Sequence, residues 1–197
     1  MNAARPRSRR TTAVAGTIAA AVVALGVVAG VVATLESGSS ALPGLLTGPA
    51  PWGPNTAELR PRLQDLGLNF GRGLVPESRV HVDIYVHGRQ LEVPAGIGIR
   101  RGRTLPMAPV FTKGQGVFSL TEPLTLGDLF GVWGVRFTPN CIGGYCNQDG
   151  QTLKTFVNGA RVPGDPRKLP LADHQEVLVA YGTAAELPRP VPASYSF

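Results

Sequence analysis

The stretch RVHVDIYVHGRQLEV, Arg79 to Val93, decides the fold. Val80, Val82, Ile84 and Val86 alternate with His81, Asp83, Tyr85 and His87. Successive side chains of a strand point to opposite faces, so this period of two predicts a half-buried strand with its valines inward and a polar face outward. His87-Gly88 then supplies a tight turn and RQLEV returns as the partner strand of a hairpin. A second hairpin is predicted in QTLKTFVNGARVP, where Asn158-Gly159 is the strongest short-range turn signal in the chain. The paired turns Val86-His87-Gly88 and Val157-Asn158-Gly159 form a weak internal echo, read more simply as two ordinary tight turns. After a turn at Asp173-His174, EVLVAYG predicts a buried final strand over 176–182.

Between the hairpins, PAGIGIRRGRTLPMAPVF reads as a Gly/Pro-broken connection, and GVFSL as a short strand over 116–120. Thr125 is a helix cap with Asp128 three residues on, and Leu126, Leu129, Phe130 and Trp133 share one stripe, which predicts an amphipathic helix over 126–133. Upstream, Leu59, Leu63 and Leu66 are at helical spacing with Gly67 as a stop, and Pro61 is tolerated in the first turn: a helix over 58–66. A hairpin, a helix packed across it, a second hairpin and a last strand lying centrally beside the first resemble the β-grasp (ubiquitin-like) arrangement. The expected fold class is α+β: a small β-grasp-like mixed sheet, residues 56–183, with one packed short helix.

Ala13 to Leu35 is uncharged and, as a helix, spans about 30 Å, the thickness of a bilayer core. It is longer than the apolar region of a cleaved signal peptide, its best small-residue cleavage site, near Ala33, is poor, and no cysteine follows that could be lipidated. We read an uncleaved transmembrane helix, 13–35. Arg5, Arg7, Arg9 and Arg10 precede it and no arginine follows until Arg60, which places residues 1–12 in the cytoplasm and the rest outside a plasma membrane crossed once. Gly26 and Gly30, with Gly16, Ala20 and Ala24 on a nearby face, allow a weak homodimer contact between anchors. Residues 36–55, rich in Gly, Pro and Ser, read as a flexible stalk, and the Pro-rich tail 184–197 as loose.

Beyond Glu36 the chain carries 15 basic and 13 acidic residues, an ordinary surface that gives no reason to expect a nucleic-acid partner. Arg100, Arg101 and Arg103 read as a solvated loop. Cys141 and Cys146 stand on the exported side, where thiols are oxidised. No further histidine or cysteine lies near them to complete a metal clip, the spacing is not that of a redox C-x-x-C pair, and the two glycines of IGGY let the chain turn back. A Cys141–Cys146 disulfide is expected.

HVDIYVHGRQLEVPAGIGI, LTLGDLFGVWGVRF, CIGGYC and LKTFVNGARVPGDPRKLPLADHQEVLVAYG are similar to a largely uncharacterised family of exported or membrane-anchored, actinobacterial-type proteins. The resemblance covers 56–182. It implies two histidine-rich clusters, an H-x-H ahead of the first hairpin and an H-T-H-D with a further histidine, able to bind a transition metal. This chain departs there. Arg79 stands in place of the partner of His81, Val110, Thr112 and Lys113 fall in the second cluster, and Ser119 replaces the later histidine.

No nucleophile elbow, zinc-protease motif or phosphate-binding loop is present, and no catalytic residue is assigned. Of the three histidines, His87 and His174 sit in turns and His81 on the polar strand face. His81 and Asp83, about 7 Å apart along one strand face, supply two metal ligands at most, so no cofactor and no stoichiometric metal are expected. The leading functional reading is a non-catalytic binding or scaffolding domain, anchored in the membrane and facing a protein or cell-envelope partner. The alternative is a small metal-binding or enzymatic domain using His81 and Asp83.

Overall fold

The computed structural model of the 197-residue chain describes residues 41–70, 75–100, 102 and 106–197. The basic N-terminus 1–12, the apolar segment 13–35, the Gly26/Gly30 face, residues 36–40, Arg101 and Arg103 lie outside the described residues. Among the described residues no helix is long and apolar enough to cross a membrane.

Among the described residues the fold is α+β with a mixed sheet and two α-helices. The helix α1, Leu59–Asp65, has Pro61 in its first turn. The strand β1, Ser78–Val86, turns at His87-Gly88, both at positive φ (50° and 74°), into β2, Arg89–Leu91. A second hairpin, β3 (Val110–Thr112) and β4 (Val117–Leu120), follows. The helix α2, Leu126–Trp133, comes next. The disulfide hairpin is β5 (Cys141–Ile142) and β6 (Tyr145–Cys146). The strands β7 (Thr152–Val157) and β8 (Ala160–Arg161) are joined by Asn158-Gly159, again at positive φ in both residues. A 3-10 turn, Pro166–Lys168, leads to β9, Gln175–Gly182.

The main sheet runs β3-β4-β1-β9-β7-β8, with β2 also paired to β1. First and last strands lie side by side and parallel, from Val80↔Gln175 to Val86↔Tyr181; the other pairings are antiparallel. β1 gives its other edge to β4 at Ser78–His81 and to β2 at Ile84–Val86. Val80, Val82 and Ile84 are buried on one face with Val177 and Val179, under Leu126, Leu129, Phe130 and Trp133 of α2. Reciprocal capping starts that helix: the Asp128 amide donates to Thr125 Oγ1, and the Thr125 amide donates to Asp128 Oδ2 at 2.9 Å. Gly134, in the left-handed region at φ 77°, ends it.

Three expectations are corrected. First, residues 41–55 are no free stalk. The Leu46 amide donates to Gly134 O and its carbonyl accepts from the Arg136 amide, while Trp52 is buried in the main core. Glycine and proline there make bends between apolar anchors. Second, the tail 184–197 is not loose: Leu187 and Val191 pack on Phe156, Leu178 and Ala180, on the sheet face opposite the main core. Third, that face is therefore covered, and His81, expected on a solvated surface, is only 6% exposed. The connection before β4 also contains β3, whose valine, phenylalanine and threonine are all buried; glycines and prolines on both sides hid it.

Candidate functional site

The parallel register of β1 and β9 sets His81 opposite Glu176, on the face away from α2. The Glu176 side chain is fully buried, and its Oε2 lies 2.8 Å from His81 Nδ1. An ionised carboxylate only accepts, so Nδ1 carries the proton and a neutral imidazole keeps its lone pair on Nε2. Nε2 lies 3.9 Å from Asp83 Oδ1. One ligand atom from each of His81, Asp83 and Glu176 lies within 4.8 Å of the other two. Gln90 Nε2 donates to Asp83 Oδ1 at 2.7 Å, so β2 fixes that carboxylate across the hairpin. Glu176 Oε1 is buried and has no hydrogen-bond partner among the described residues.

Two other elements close the site. The β3–β4 turn brings Gly116, at φ 70°, against the imidazole; a Cβ there would lie 2.7 Å from Val82 O and 3.0 Å from His81 Nε2, so glycine is required for both backbone and space. From the tail, Tyr195 stacks on the His81 ring, centroids 3.8 Å apart and planes 12° from parallel. Beside this lid a groove of about 350 Å³ remains, lined by His81, Asp83, Gln90, Glu92 and Gln115. Burial raises the Tyr85 phenol pKa, and Asp83 and Glu176 raise it further: their negative charge is felt along the face.

The other sequence candidates lie apart from the cluster. His87 is in its turn, edge-on to Tyr181, with Nδ1 3.5 Å from Glu186 Oε2. His174 sits at φ 57°, 2.6 Å from Asp173 Oδ2 and edge-on to Phe197. The Arg79 amide donates to Asp173 Oδ1, which holds the Asp173 carboxyl below the usual range; its guanidinium lies 5.9 Å from the Phe197 ring. Lys113 is exposed. Val110 and Thr112, where the resemblance placed ligands, are core residues of β3, and the Thr112 hydroxyl donates to Val117 O to brace the β3–β4 turn. Glu176 is the residue that sequence reasoning missed: it opens an apolar strand, and only the β1–β9 register brings it to His81.

Compared with protein-family models, with curated proteins and with solved structures, the chain matches none.

The expected Cys141–Cys146 disulfide is present, closing the β5–β6 hairpin with its Cα atoms 4.1 Å apart. Arg136 braces it, donating from Nε to Gly143 O at 2.8 Å and placing Nη2 3.1 Å from Cys146 Sγ. The loop it closes is short, so Cys146→Ser is expected to cost about 2 kcal/mol or less in urea unfolding. A loss of twice that would show that the bridge holds more than its own hairpin.

Proposed function

We propose that the chain is a membrane-anchored, extracytoplasmic binding domain that holds a divalent transition-metal ion at His81, Asp83 and Glu176. The observation that carries the metal reading is the arrival of Glu176 at His81. The expectation of no metal rested on two ligands; with Glu176 there are three. One imidazole nitrogen and two carboxylates suit zinc, manganese or ferrous iron, and two carboxylates beside one neutral imidazole leave a local negative charge for a cation to neutralise. The orphaned Glu176 Oε1 fits the same reading, because a buried carboxylate oxygen without a donor is costly unless something positive meets it. The geometry suits Glu176 as a direct ligand beside His81 and Asp83.

The anchor and orientation rest on the apolar segment 13–35 and its leading arginines, and the disulfide is consistent with an oxidising compartment. The parallel central pair β1–β9, flanked by antiparallel hairpins with α2 across one face, supports the β-grasp-like reading of the sheet. The role is binding or scaffolding toward a protein or envelope partner.

The test is metal content. Full-length chain without a histidine tag, dialysed against a weak chelator, is expected to retain about one zinc or manganese ion per chain. His81→Ala and Glu176→Gln should lose it while keeping their cooperative melts. Metal-free wild-type protein that takes up none on titration would end the metal reading and leave only the binding domain.

A further inference from the structure

Residues 187–197 lie against the sheet face that carries His81 without hydrogen bonding to it. Among the described residues, no hydrogen bond from this segment leaves the tail; the Arg189 guanidinium donates to Ala184 O, within it. Pro188, Pro190 and Pro192 have no amide to donate. No residue of the segment is buried. What holds it is contact between side chains. Leu187 and Val191 lie on Phe156, Leu178 and Ala180. Tyr195 stacks on His81, and Phe197 sits edge-on to Tyr195 and to His174, at 5.3 and 4.8 Å, near the Arg79 guanidinium. A segment with few buried contacts and no bonds to the sheet opens at far less cost than global unfolding.

The other wall of the imidazole is fixed. Gly116, against Nε2, belongs to a turn in which the Val82 amide donates to Gly116 O at 2.9 Å and the Thr112 hydroxyl donates to Val117 O. With the tail in place, the 350 Å³ groove reaches His81 and Asp83, but Glu176 is not in its lining and its side chain is fully buried. An ion held by all three ligands must pass the imidazole. Of the two walls on that ring, the tail is the one without hydrogen bonds to the sheet.

We propose that residues 187–197 are a lid that opens as a unit and controls entry of a divalent ion to His81 and Glu176, with Tyr195 as the latch on the imidazole and Phe197 as the clasp behind it. The gating role rests on the metal reading; the opening of the lid does not.

The experiment has two arms on the metal-free full chain. In the first, diethyl pyrocarbonate acylates neutral histidines and mass spectrometry follows each of the three. His87, with 39% of its side chain exposed and no contact with 187–197, is the internal reference; the His81 side chain is 8% exposed. His81 is expected to react at least about tenfold more slowly than His87 in the wild type, and at least about fivefold faster in Tyr195→Ala than in the wild type. Phe197→Ala separates opening from simple uncovering. Phe197 stacks on Tyr195 rather than on His81, so a lid moving as a unit predicts faster His81 acylation there too. Neither residue belongs to an apolar core, so both variants should keep the wild-type melting temperature. In the second arm, zinc alone is added and its uptake timed with a fluorescent zinc indicator. The wild-type rate should level off as zinc rises, limited by opening, while that of Tyr195→Ala keeps rising. Equal acylation of His81 and His87 in the wild type, or no acceleration in Phe197→Ala, overturns the lid. Zinc uptake at the same rate in wild type and Tyr195→Ala overturns the gate. The acylation contrast with no zinc uptake by either protein supports the lid and refutes the metal reading instead.

Discussion

Arg62→Ala is expected to destabilise the domain by about 3 kcal/mol. Arg62 is fully buried in α1, a rare place for a guanidinium. Burial pulls its pKa down and Glu58 opposes this, so the fold bears a desolvation cost that its hydrogen bonds must offset. The acceptors are three backbone carbonyls, two from the 41–55 segment and one from α2: Nη1 donates to Pro43 O at 3.3 Å, and Nη2 to Asn55 O and to Val132 O in the last turn of α2. A cation at the carbonyl end of a helix is favoured by the helix dipole. Alanine would leave those carbonyls unmet and a cavity between α1, α2 and the 41–55 segment. Arg60→Ala, on the exposed side of α1 over Phe70, is the control and should cost about 1 kcal/mol or less. Urea unfolding of the two variants measures the contrast, and equal effects would show that Arg62 has no special place.

Trp52→Ala should be worse, about 3–5 kcal/mol, as for other buried tryptophans. The indole is edge-on to Trp133 and Tyr145, centroids 6.1 and 6.3 Å away, and its Nε1 donates to Gly48 O. It also presses on the disulfide hairpin: a Cβ on Gly143 would lie 2.2 Å from Trp52 Cζ2. The indole thus joins the 41–55 segment to α2 and to CIGGYC together. Trp52→Ala should lower the melting temperature, and also expose Cys141–Cys146 to faster reduction by dithiothreitol. Unchanged melting would mean that residues 41–55 are a stalk after all.

Those two residues show where the sequence was legible and where it was not. Local signals read well. The alternation from Val80 to Val86, the turns His87-Gly88 and Asn158-Gly159, and the Thr125–Asp128 cap each depend on neighbours within a few positions, and each element stands where the pattern put it. Composition misled where a few large side chains outweighed it. Gly, Pro and Ser around Trp52 suggested a stalk, and prolines around Leu187 and Tyr195 suggested a loose tail, yet Trp52 is buried in the main core and the tail packs on the opposite face of the sheet. In the candidate site, His81 and Asp83 were visible because they share a strand. Glu176 lies 95 positions from His81 and reaches it through a parallel register. A run such as EVLVAYG announces a buried strand but not which neighbour its first residue will meet.

The most direct test of the central claim is anomalous X-ray diffraction from crystals of the metal-loaded chain, recorded at the absorption edge of the bound ion. The account predicts one strong peak about 2.0–2.3 Å from a nitrogen of His81 and from an oxygen of each of Asp83 and Glu176. No peak at this position in fully loaded crystals, or peaks only on surface carboxylates away from His81, would contradict it.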